Sequence, residues 1–354
     1  MRELGLSVTV DRIGNIFGVR PGKREGPPVM SGSHIDTVGT GGLYDGNLGV
    51  LAALEVAAVL NDANLQTEHP FCEGVRFQPD MMGSTCFQGG LPLETALAIE
   101  GIDGKTVGDE LTRIGYAGDQ EVGFPVKAFM ELHIEQGPVL EEEGIRIGCV
   151  TGVQGISWQE LTITGVSNHA GTTPMRLRKD AGYAAMAIAT GVRQIAKDMG
   201  GNQVSTVGSL TLHPNLISVV ANKAVMTIDL RNTDEALLQE AEQRTQDLIQ
   251  RVTEAEGVSY STRSLARFKP ANFEPAMIDM VEAVATEMGF SNRRMPSGAG
   301  HDAGLICLNA PTSMVFTPSV RGISHNIEEY THPEDIEAGA NVLLQCLLRL
   351  LTSP

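Results

Sequence analysis

The stretch Leu48–Asn61, LGVLAALEVAAVLN, constrains the chain most, because it is apolar on every side of a helix except at Glu55 and its last residue. A helix of that kind is buried, and this one is too short to cross a bilayer. Its alanines and leucines favour the helical state, and its apolar surface needs a sheet to cover it. Neighbouring segments supply strands. Leu6, Val8 and Val10 alternate before a turn at Gly14-Asn15, and Ile16–Val19 returns. Pro28-Val29-Met30 leads into a third strand that ends in Gly32-Ser33-His34-Ile35-Asp36-Thr37. After the buried helix a further apolar strand is expected. Leu65–Cys72 reaches Glu73 without one, so a strand is expected to be missing between Pro70 and Glu73. Ala128–Ile134 reads as another strand, with polar residues at its end.

From Gly155 the pattern changes. A strand at Trp158–Thr164 precedes a helix near Asp180–Met199, then strands at Val204–Leu212 and Ala224–Leu230, and a capped helix from about Thr233 to Glu256. That order predicts a small α+β, ferredoxin-like sheet with helices on one face, inserted as a second domain over residues 155–268. The chain then returns to the first domain, residues 1–154 and 269–354, through a helix at Met277–Met288, a glycine-rich loop, a strand at Ser313–Phe316 and a closing helix after Thr331. A length of 354 residues exceeds one ordinary core, which agrees with two domains. The expected class is α/β, with a mixed, largely parallel sheet flanked by helices in the first domain.

Charge excludes several partners. The formal net charge of −17 repels phosphate backbones and anionic lipid, so neither nucleic acid nor a membrane surface is expected as a partner. Met1–Leu6 has no apolar signal-peptide region. The five cysteines form no CxxC pair, and reduced thiols in a cytoplasm are the simple expectation.

Several polar clusters fall at strand ends or in glycine turns. His34 and Asp36 lie two apart at a strand end, on one face, so the carboxylate can hold the ring; Asp45 follows a glycine turn. Neutral imidazoles with carboxylates suit first-row metals. His133 sits in Glu131-Leu132-His133-Ile134-Glu135-Gln136-Gly137-Pro138, an apolar strand that breaks into polar groups before Gly-Pro. His169, in Asn168–Pro174, can donate to a developing oxyanion. Asn215, and Arg231 at a strand end, can hold a substrate carboxylate. Ser297–Asp302 places backbone N–H groups at Gly298, Ala299 and Gly300 where an anion can meet them, and His325 precedes a helix and can complete a metal shell. No GxSxG elbow or Walker loop supports a serine hydrolase or nucleotide site.

Together, GSHIDTVGTGGLYDGNLGVLAALE, EGVRFQPDMMGS, ELHIEQGPVLE, VQGISWQELTI, NHAGTTPMRLRKDAGYAA, LRNTDE, MPSGAGHDA and GISHN resemble the zinc-dependent amidase/hydantoinase/carbamoylase family. That family belongs to the aminoacylase and carboxypeptidase-like superfamily and includes N-carbamoyl-L-amino acid and allantoate amidohydrolases. The resemblance runs almost end to end. It implies hydrolysis of ureido C–N bonds with release of ammonia and carbon dioxide. It also implies two divalent cations per subunit (zinc, with manganese or cobalt as alternatives) and a smaller domain that acts as lid and forms a homodimer. One cation would be held by His34 and His133, the other by Glu73 and His325, with Asp45 between them and Asp36 orienting His34. Gln136, Asn215, Arg231 and the Gly298–Gly300 loop would grip the substrate, and His169 would stabilise the oxyanion from the partner's lid.

Two departures from the family follow. Its members place a Glu-Glu pair before Gly74, the first glutamate acting as general base, and here that position is Cys72. A thiol is a poor substitute, and losing one acid–base group costs ~10²–10⁴-fold in rate. Cys72→Glu is therefore expected to raise turnover at least about tenfold. The alternative is an impaired homologue that only binds metal or ligand. Members also carry a helical segment ahead of GLSVTVDRIGN, so the first domain is expected to be truncated at its N-terminus and to expose apolar patches.

Overall fold

A computed structural model describes residues 1–75, 81–101 and 104–353, and gives only the backbone of residues 73–75. The described chain divides into two compact units, Met1–Val153 with Ala271–Pro354, and Gln154–Pro270.

The first unit is built on a nine-stranded mixed sheet. Its order is Ser7–Val10, Ile16–Arg20, Phe71–Val75, Val29–Gly32, Ala128–Ile134, Thr312–Thr317, Ile147–Val153 and Ala271–Asn272, with Asn292–Ser297 also pairing on Ile147–Val153. The middle four, from Phe71–Val75 to Thr312–Thr317, pair parallel to one another, and both faces of such a sheet need covering. Helix Asn47–Asp62 packs on this centre, with Pro333–Thr352 and Pro275–Glu287 against neighbouring strands. As its composition predicts, the first helix is buried along most of its length, from Leu48 through Ala53 and Val56 to Leu60. Met30, Phe129, Met130, Leu132, Val315 and Phe316 share one core with it.

The strand expected to be missing is present. Phe71–Val75 lies between Ile16–Arg20 and Val29–Gly32, antiparallel to the first and parallel to the second. Leaving those neighbours unpaired inside a sheet would strand their backbone N–H and C=O groups, and the segment after Pro70 fills the place. Phe71 and Cys72 are both fully buried, which makes the substitution possible although the segment is not a β-branched run. Three other strands lay outside the sequence reading. Ile147–Val153 contains two glycines, Ala271–Asn272 is two residues long, and Asn292–Ser297 is mostly polar, with Pro296 at a register shift.

The second unit is an antiparallel five-stranded sheet: Ser259–Phe268, Gly155–Thr164, Lys223–Asn232 and Val204–Thr206, with Leu210–His213 also on Lys223–Asn232. The single strand expected over Val204–Leu212 is thus two, because its halves pair with different levels of the long strand. Helices Ala181–Met199 and Glu235–Glu256 cover the sheet. Asp180 caps the first by accepting from the Gly182 and Tyr183 N–H groups, and Asp234 caps the second through Leu237. Among the described residues no helix is long and apolar enough to cross a membrane.

Candidate metal centre

Three adjacent parallel strands, Val29–Gly32, Ala128–Ile134 and Thr312–Thr317, end at one edge of the first sheet. Ligand sites in open α/β sheets form beyond such carboxyl ends. His34 follows the first strand, His133 lies near the end of the second, and His325 follows the third. All three face one carboxylate. His34 Nε2 is 3.6 Å and His133 Nε2 3.4 Å from Asp45 Oδ1, and His325 Nε2 is 3.4 Å from Asp45 Oδ2. His34, Asp45 and His133 offer donor atoms within 4.8 Å of one another, a spacing that fits a metal ion.

The tautomers suit ligation. His34 Nδ1 donates to the Asp36 carbonyl at 2.8 Å and His133 Nδ1 to the Ile134 carbonyl at 2.9 Å, so each ring keeps its Nε2 lone pair on the Asp45 side. The Asp36 carbonyl, and not the carboxylate expected to hold the ring, bonds His34: the carboxylate Oδ1 is 3.8 Å from Nδ1, beyond hydrogen-bond range. Burial works against ionising Asp45, yet the imidazoles of His133, His34 and His325 outweigh it and hold the carboxyl below its ordinary value. Burial likewise pulls His133 down, and Asp45 and Glu131 outweigh it, so the net direction is up. A cation placed there would take over the attraction that these rings now supply.

A ring of hydrogen bonds fixes Asp45. Glu329, buried, accepts from the Tyr44 and Asp45 N–H groups at 3.0 Å each and from Ser324 Oγ at 2.7 Å. Ser324 Oγ accepts from Gln136 Nε2, which also donates to Asp45 Oδ1 at 3.3 Å. Gln136 thus braces the acid, in addition to the substrate contact its motif implies. Below the site, Glu131 accepts from Ser33 Oγ at 2.7 Å and from the Ala303 N–H at 3.0 Å. Burial first, then the Asp302 charge, pushes Glu131 up to about 7. His301 packs edge-on against His133 and bonds Ser297 Oγ, and burial holds it well below its ordinary value. Glu131, His133 and His301 form a second close cluster, but both Glu131 oxygens already accept hydrogen bonds and the His133 lone pair faces Asp45.

Gly46 shows why the turn needs glycine. Its φ is +74°, and a Cβ there would collide with the carbonyl oxygen and ring of His34. Its N–H reaches His133 Nε2 at 3.1 Å. Gly46→Ala is expected to cost about 2–4 kcal/mol through backbone strain and collision. It should also weaken metal retention, which thermal melts with and without added metal will read.

The remaining candidates lie as follows. Cys72 is a correction: its side chain has no exposed surface and belongs to the main core, paired in register with Met30, four residues before His34. It fills the apolar layer of the sheet and is not placed as a base. The Glu73 side chain, expected as a ligand, lies outside the described residues. The Gly298–Gly300 loop is pinned by Ser297, whose Oγ bonds both the N–H and the carbonyl of Ala299. In the second unit, His169 is exposed, and its Nδ1 accepts from the Gly171 and Thr172 N–H groups at 3.0 and 3.2 Å. His169 bridges to Val219, in the segment that follows exposed Asn215. Arg231 is held by Asp229 at 3.0 Å and lies over Trp158, 5.6 Å from the ring centre.

Sequence reading missed Glu329, Ser324, Glu131 and His301. The two-residue period of a strand puts Glu131 on the face of His133, so that one was available. Glu329 has no local signal, since the Tyr44 and Asp45 N–H groups it holds lie 285 and 284 residues away.

The chain is similar in sequence and fold to several known proteins. Residues 30–349 match the family model for Peptidase family M20/M25/M40. The N-carbamoyl-L-amino-acid amidohydrolase of Rhizobium meliloti is 41% identical over 355 residues, covering 98% of this chain and 85% of that protein. The ureidoglycolate hydrolase of Arabidopsis thaliana is 35% identical over 378 residues, covering 99% of this chain and 78% of that one. The crystal structure of an amidase of the hydantoinase/carbamoylase family from Burkholderia multivorans superposes with a TM-score of 0.94 at 43% identity, covering 100% of this chain and 88% of that one. With sequence and fold alike over nearly its whole length, the chain belongs to the M20/M25/M40 peptidase family and, within it, to the hydantoinase/carbamoylase amidases, a group of amidohydrolase enzymes.

Proposed function

We propose that this chain is a metal-dependent hydrolase of linear ureido C–N bonds, acting on N-carbamoyl-L-amino acids or a related ureido acid such as allantoate, with release of ammonia and carbon dioxide. The observation that carries the reading is the convergence of three imidazole Nε2 atoms on buried Asp45. A divalent cation held there supplies Lewis acidity that polarises a carbonyl and lowers the pKa of water. The donors suit zinc, and manganese or cobalt as well. Asp45 Oδ1 with His34 and His133 forms the more complete position, and Oδ2 with His325 faces a second. His169 keeps its proton on Nε2, because Nδ1 already accepts two backbone N–H groups, and so donates to a developing oxyanion. Arg231, whose Nε and Nη2 are held by Asp229, supplies positive charge for a substrate carboxylate, and Asn215, Gln136 and the Gly298–Gly300 loop are further substrate contacts. The Gln154–Pro270 unit serves as lid and homodimer contact, and five cysteines outside any disulfide support a cytoplasmic setting.

The test is ammonia release from a panel of ureido acids, with chelator-treated protein reloaded with zinc, manganese or cobalt. At least one acid should be turned over, with activity lost to the chelator and restored by one metal. Metal-loaded protein inert toward the whole panel would favour the second reading, a homologue that binds metal or ligand without efficient turnover. The burial of Cys72 in the core is the observation on its side.

A further inference from the structure

Ser297, His301 and the Gly298–Gly300 loop between them form one hydrogen-bonded group in the first unit. Ser297 ends the strand Asn292–Ser297 and is fully buried, and His301, just before the short helix Asp302–Ile306, is buried as well. Ser297 Oγ meets the Ala299 N–H at 3.1 Å, the Ala299 carbonyl at 3.0 Å and His301 Nε2 at 2.8 Å. A hydroxyl has a single proton and two lone pairs, so these partners use it completely.

That count fixes the direction of each bond. The Ala299 N–H can only donate and the Ala299 carbonyl can only accept, so the hydroxyl proton goes to the carbonyl unless His301 takes it. If His301 took it, the ring's own proton would sit on Nδ1, which is buried and has no hydrogen-bond partner among the described residues. A buried N–H left unpaired is rarer in proteins than an under-used acceptor. The ring therefore carries its proton on Nε2 and donates it to Ser297 Oγ, which directs the hydroxyl proton to the Ala299 carbonyl. His301 is itself held by ring packing, edge-on to His133 with centroids 4.5 Å apart and against Phe316 at 5.5 Å. The loop is thus tied at its middle residue, through both N–H and carbonyl, by a serine whose orientation a histidine sets.

We propose that His301 is a positioning residue for substrate binding: through Ser297 it holds the Gly298–Gly300 loop in the shape that receives the substrate carboxylate. This rests on the reading of that loop given above and deepens it. The carboxylate takes no part in the bond cleavage, and a contact made equally before and during the attack changes KM more than kcat.

The test uses metal-loaded full chain with N-carbamoyl-L-alanine, N-carbamoyl-L-phenylalanine and allantoate, and calorimetric Kd replaces KM wherever turnover is too slow. His301→Phe keeps a ring against His133 and Phe316 but cannot donate. It should raise KM or Kd about tenfold, the worth of one hydrogen bond, with kcat within about threefold of the parent and metal retention equal to it. His301→Gln, which carries an amide donor near the Nε2 position, should bring KM back to within about threefold of the parent. Ser297→Ala should raise KM at least as far as His301→Phe, and combining the two should add nothing, because they act in series. If His301→Phe does not fold, His301→Leu takes its place. Independently of any substrate, ¹⁵N spectra of histidine-labelled protein should show the His301 proton on Nε2. Additive effects in the double variant, no recovery with glutamine, or a proton on Nδ1 overturns the inference. Turnover by the parent with KM indifferent to every variant would overturn it and leave the proposed function intact. The expected pattern of Kd without turnover would do the reverse. A parent that neither binds nor hydrolyses any of the three acids would overturn both.

Discussion

Asp45→Asn is expected to abolish tight metal retention and, with it, measurable ureido hydrolysis. All three imidazoles face Asp45, so both sides of the centre lose this anionic group in a single substitution. Even at a protein-like effective dielectric, two unit charges about 4 Å apart attract by ~4 kcal/mol, and a divalent ion at ligand distance feels more. That figure corresponds to at least ~10³-fold weaker binding. The fold itself should persist. An amide of the same shape still accepts from Gln136, the Glu329 ring acts on the backbone N–H of residue 45, and the metal-free protein no longer has to bury an ionised carboxylate. The measurements are retained metal and the thermal melt of the metal-free protein. A variant that melts like the parent but retains its ion would remove Asp45 from the centre.

How much of this was legible depended on the distance over which each signal acts. The buried helix, the cap residues and the strand carrying His133 were readable because their causes are local: an all-round apolar run, an Asp before a helix, a two-residue period. The histidines that converge on Asp45 drew notice through their place at strand ends and beside glycine turns, and the family resemblance joined them into one set. What failed was long-range. Phe71–Val75 enters the sheet because its neighbours need partners, which no property of its own five residues announces. Glu329 steadies Asp45 across 284 residues, and the ring-orienting group of Asp36 is its carbonyl, which every residue has.

Cys72 carries the second large expectation, and there the structure reverses the sequence. Read by motif, Cys72→Glu restores a general base and raises turnover. Read in the fold, it drives a carboxylate into a site with no exposed surface, among Met30, Phe71 and the rest of the core. The longer side chain overpacks a filled layer and carries its charge into a site with no exposed surface; four residues of strand separate its level from that of His34. The expected cost is about 3–5 kcal/mol, the range for overpacking combined with burial of a charge. In a unit of this size that corresponds to a fall in melting temperature of roughly 10 °C, with no gain in ammonia release. Cys72→Ser separates the contributions: it keeps the volume, adds one hydroxyl, and should cost only about 1–3 kcal/mol. A tenfold rise in turnover for Cys72→Glu at unchanged melting temperature would mean that residue 72 faces the metal centre after all, and the strand register would have to be abandoned.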